Sequence, residues 1–68
     1  MKLEEAIVKI QNEIELLGES SEKHRKLSDE AYDNYNQKLC DEEWSKYVTE
    51  SNYQFALKVA LKILGEVD

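Results

Sequence analysis

The chain has 68 residues, fifteen acidic and nine basic, for a formal charge of −6. That balance argues against a grip on a nucleic-acid backbone or an anionic membrane surface, since both need clustered Lys and Arg. The length allows one domain, 1–68, and a chain this short buries only about 60% of the surface its unfolded form exposes.

Small domains of this kind are reinforced by disulfides, metals or a second chain. One cysteine, Cys40, excludes an internal disulfide, and the single histidine, His24, lies sixteen positions away from it. No Cys/His cluster offers a metal site, so neither metal nor cofactor is expected. Association with another copy is the reinforcement left, and a homodimer is expected. Pro is absent and Gly occurs only at positions 18 and 65. Strand-and-turn folds need turn residues, so the fold class is all-α. No apolar run reaches the ~20 residues of a membrane span, and Met1-Lys2-Leu3-Glu4-Glu5 does not read as a signal peptide. A cytoplasmic setting is expected, in keeping with one unpaired thiol.

A first helix is expected over 2–17. Leu3, Ile7, Ile10, Ile14 and Leu17 are spaced 4, 3, 4, 3, a coiled-coil heptad seam. Glu4 and Glu5 suit the positive end of the helix dipole, and Gly18 stands where a left-handed cap often falls. A second helix is expected over 21–39, capped by Ser20 or Ser21. Its apolar row is Leu27, Ala31, Tyr35 and Leu39. The rest of it is charged or amide-bearing, including Asp33-Asn34-Tyr35-Asn36, and Asp and Asn compete for their own backbone. A bend is expected in the middle of this helix, where Ser28 before Asp29 and Glu30 could restart it.

A third helix is expected over 41–64, starting at Asp41-Glu42-Glu43 and ended by Gly65, with 66–68 fraying. Trp44, Val48, Phe55, Val59 and Ile63 form one row. The competing reading breaks the helix at Ser51, where Ser51-Asn52-Tyr53-Gln54 fits a capping box. Within it, nine of the twelve residues Tyr53–Leu64 are apolar or aromatic, and Gln54, Lys58 and Lys62 form a narrow polar stripe. Tyr53, Leu57, Ala60, Leu64 and Val67 repeat the heptad spacing, with apolar Ala56, Leu61 and Ile63 beside them. A seam this wide exceeds what one helix covers. The expected arrangement is an antiparallel three-helix bundle, first helix against last, completed by dimerisation into six helices.

Chemistry is sparse. Glu19 with Glu22, and Glu30 with Asp33, form ExxE and ExxD pairs. In all-α nucleoside triphosphate pyrophosphatases such pairs on facing helices hold magnesium, which makes a magnesium-dependent nucleotide hydrolase the remote alternative. Here the pairs fall on one stretch of chain, and solvated helix charge explains them. His24 reads as an exposed imidazole beside Lys23, Arg25 and Lys26. Cys40 has no activating base and reads as small-residue packing near a helix junction. The chain is not expected to be an enzyme.

The aromatics are Tyr32, Tyr35, Trp44, Tyr47, Tyr53 and Phe55. Tyr and Trp are enriched at interface hot spots. Trp44 and Phe55 read foremost as core. The expected partner-binding residues are Tyr32, Trp44, Tyr47, Tyr53, Leu57, Leu61 and Leu64. The expected function is a small acidic helical protein-interaction module, a homodimeric regulator, inhibitor or adaptor. The alternative is an acidic mimic of nucleic acid that occupies a basic site on a DNA- or RNA-binding enzyme.

Overall fold

The computed structural model describes residues 2–66. They form two helices rather than three: α1 (Leu3–Asp33) and α2 (Gln37–Gly65). The helices pack as an antiparallel hairpin, 52 Å long and 14 Å across. The expected Val67 seam position and the fraying of Val67 and Asp68 lie outside the described residues.

The all-helical expectation holds, but two of its boundaries move. Gly18 does not stop α1, and Ser20 and Ser21 cap nothing, because the helix runs through all three. The seam explains the continuity. Ile7, Ile10, Ile14 and Leu17 are followed at the same 3, 4 spacing by Ser21, His24, Ser28 and Ala31. All eight are buried or half-buried. Periodicity in apolar residues ends at Leu17, whereas periodicity in inward-facing residues does not. One helix-interior glycine costs only about 1 kcal/mol relative to Ala, too little to break so long a packed face.

The reversal falls instead at Asn34-Tyr35-Asn36, inside the expected second helix. The Asn36 N–H donates to the Ala31 carbonyl at 2.8 Å, and the Tyr35 N–H to the Tyr32 carbonyl at 3.1 Å. This is the Schellman pattern that closes a helix C-terminus. Tyr35 takes the left-handed position, φ 58°, which usually belongs to glycine. Asn36 then caps α2, its Oδ1 accepting from the Leu39 N–H at 3.2 Å. The helix therefore starts at Gln37, not at Asp41, which lies a full turn inside.

α2 runs unbroken through Ser51 and Asn52. Its inward face is Cys40, Glu43, Tyr47, Glu50, Gln54, Leu57, Leu61 and Leu64, spaced 3, 4, 3, 4, 3, 4, 3. The two faces mesh as complementary heptad seams of opposite direction. Away from the turn the register brings Ile7, Ile10 and Ile14 level with Leu57, Leu61 and Leu64. Near the turn the seam is polar. Ala31 is the one buried apolar residue among those described, at 4% exposure, and Ser21, Ser28 and Glu43 are the buried polar ones.

Gln54, expected on the solvent stripe, points inward. Trp44 and Phe55, expected in the core, stand 49% and 67% exposed. The reason is the missing third helix. With one neighbour instead of two, α2 covers a single stripe, and the aromatic row opposite it stays in water.

Candidate interaction surface

Two features stand out: a polar cluster inside the seam and an apolar row outside it. His24 is central to the first. Its Nδ1 lies 2.5 Å from Glu43 Oε2 and its Nε2 3.6 Å from Glu50 Oε1. The hydrogen bond from His24 holds the Glu43 carboxyl below its ordinary value against the opposing effect of burial, and Lys46 at 3.4 Å assists. Glu43 is therefore a carboxylate and can only accept, so Nδ1 carries the proton of that bond. The expected exposed imidazole is thus an inward one, its side chain 20% exposed.

Glu50 Oε1 also accepts from Ser20 Oγ at 2.9 Å, while Glu50 Oε2 is buried with no protein partner. One turn toward the loop, Ser28 Oγ donates to the Cys40 carbonyl at 3.0 Å and lies 3.3 Å from Cys40 Sγ. The serine proton is spent on the carbonyl, so the thiol donates back to Ser28. Cys40 was expected near a break between helices but lies inside the first turn of α2, with a hydroxyl rather than a base beside it.

The ExxE and ExxD pairs both lie on α1, so they do not face one another across the hairpin. Arg25 takes Glu22 and Asp29 in exposed ion pairs. Among the described residues no group of three or more His, Cys, Asp or Glu side chains is arranged to hold a metal. No helix among the described residues is long and apolar enough to cross a membrane.

The expected interface residues divide between two surfaces. Tyr47, Leu57, Leu61 and Leu64 lie half-buried in the hairpin seam, whereas Tyr32, Trp44 and Tyr53 are exposed. Trp44 and Tyr47 bridge the two regions, with ring centroids 5.0 Å apart and a 43° tilt. On the outer side, Trp44, Val48, Phe55 and Val59 lie along one row, each at least 38% exposed, with polar Ser51 and Asn52 at its centre. At 100° per residue this row sits about 130° around the helix from the seam.

α1 is different: its outer face is dominated by charge, with Val8 and Leu16 the apolar exceptions. Its exposed carboxylates are interspersed with Lys9, Lys23 and Lys26. The spacing revealed the outer row of α2, but Trp44 and Phe55 within it read foremost as core. The signal the spacing lacked was the helix count.

No protein-family model, no curated protein and no solved structure matches the chain.

Proposed function

We propose that this chain is a small acidic helical interaction module, a cytoplasmic regulator or adaptor that acts by contact rather than catalysis and assembles as a homodimer. One observation carries the reading. α2 is apolar on two sides, and α1 covers only one of them.

Area supports it. A compact monomer of 8.0 kDa is expected to expose about 4,450 Å². This chain exposes 5354 Å², an excess of about 900 Å², close to the roughly 800 Å² that each partner buries in a standard interface. Its radius of gyration is 15.5 Å, against about 11 Å for a compact chain of this length. A pair of hairpins meeting on their outer α2 faces makes a four-helix assembly, replacing the expected six.

A homodimer melts at a temperature that rises with protein concentration, because association stabilises only the folded form. Melting followed by circular dichroism over a hundredfold concentration range is expected to show that rise. A midpoint independent of concentration overturns the dimer.

A further inference from the structure

The outer row of α2 has the same spacing read from either end, with unlike residues at the mirrored positions. Asp41, Trp44, Val48, Ser51, Asn52, Phe55, Val59 and Lys62 are separated by 3, 4, 3, 1, 3, 4 and 3 residues. All lie within about 100° of arc on the helix. The row begins with an acid and ends with a base, and its apolar residues stand symmetrically about the Ser51–Asn52 midpoint.

Resting on the homodimer reading, we infer that α2 pairs antiparallel with α2 of a second copy about a two-fold axis passing between Ser51 and Asn52. An isologous contact requires that residue i meet j while j meets i. In this register Asp41 faces Lys62 of the second copy, Trp44 faces Val59, and Val48 faces Phe55. Each contact occurs twice. Ser51 and Asn52 lie at the axis, where their short side chains let the helices approach and an amide pair can fix the register, as a single polar seam residue does in coiled coils.

The alternatives are worse on charge. A parallel pairing sets Asp41 against Asp41 and Lys62 against Lys62. Sliding the antiparallel pair by one heptad lays Asp41 on Phe55, or Lys62 on Val48. A second copy is also the occupant best matched to the face, because its reversed row offers Lys62 to Asp41, Asp41 to Lys62, and apolar side chains to Trp44 and Val48. The charges that the face presents are those its own reverse complements.

The test is charge reversal read by sedimentation equilibrium. Asp41→Lys and Lys62→Asp are each expected to weaken dimerisation by roughly tenfold or more, since each creates two like-charge contacts per dimer. Together they restore the wild-type dissociation constant to within a few-fold. Both positions are on exposed turns away from the hairpin seam, so circular dichroism should show the helices intact. As a second measurement, Asn52→Cys in a Cys40→Ser background is expected to give a disulfide-linked dimer on oxidation, while Thr49→Cys in the same background does not.

A monomeric wild-type chain removes the homodimer reading itself. A wild-type dimer whose affinity ignores both single reversals, or whose double variant is as weak as the singles, removes this register and leaves the homodimer standing. Cross-linking through Thr49 rather than Asn52 does the same.

Discussion

Gln54 Nε2 donates to the Ile14 carbonyl across the seam at 2.9 Å, and a Cβ on Gly18 would come within 2.8 Å of that same nitrogen. The glycine is thus kept by a contact from α2 and not by a helix end. Gly18→Ala gains about 1 kcal/mol of helix propensity but displaces the amide, whose hydrogen bond is worth about as much. The substitution is expected to be near neutral in the natural chain. With Gln54→Ala already present, it should stabilise by about 1 kcal/mol. Urea unfolding of the four members of this double-mutant cycle measures the coupling, and simple additivity would refute the contact.

Tyr35 is 96% exposed and holds φ 58°, so its ring contributes little packing while its Cβ strains the turn. A left-handed L-residue costs roughly 1–2 kcal/mol, part of which glycine gives back through its freer unfolded chain. Tyr35→Gly is expected to stabilise by about 0.5–1 kcal/mol and to raise the melting midpoint by a few degrees. A lower midpoint would show that the tyrosine ring matters at the turn.

The His24–Glu43 bond predicts the sign of an acid effect. The folded Glu43 carboxyl lies below its ordinary value of 4.5, so the unfolded chain binds the proton more readily. Its contribution is complete above the ordinary value and is lost as pH falls through the lower folded one. Glu22, lowered by its bond from Arg25, adds to the same limb. Stability should therefore fall on acidification below about pH 4.5, and Glu43→Gln should flatten that fall. An acid limb equally steep in the variant would mean the carboxylate is not held as described.

The two faces of α2 should respond differently to the same insult. Leu61 lies in the hairpin seam and Phe55 outside it. Leu61→Lys is expected to cost about 2 kcal/mol or more and to reduce helicity. Phe55→Lys should leave each hairpin helical and act on assembly. Circular dichroism with sedimentation velocity separates them, and a Phe55→Lys chain that unfolds outright would place that ring in the core after all.

The sequence was legible where apolar residues mark the seam. Leu3 to Leu17, and Leu57 to Leu64, both revealed helices by spacing alone, and the continuity of α2 through Ser51 followed from its unbroken rows. It was illegible between Gly18 and Glu50, where Ser21, His24, Ser28, Glu43 and Glu50 face inward. Polar residues in a seam look like a solvated surface until their partners on the other helix are known. The turn was misplaced for a related reason. Asp33-Asn34-Tyr35-Asn36 carried the composition of a turn, but it lacked the glycine that normally takes the left-handed position there. Gly18 meanwhile invited a stop that Gln54 explains otherwise.

The central claim is that the outer row of α2 is covered by a second copy. Sedimentation equilibrium of the unaltered chain at micromolar concentrations tests it most directly. The account predicts a species of twice the 8.0 kDa chain mass, dissociating on dilution. A single species at the chain mass across the whole concentration range would contradict it.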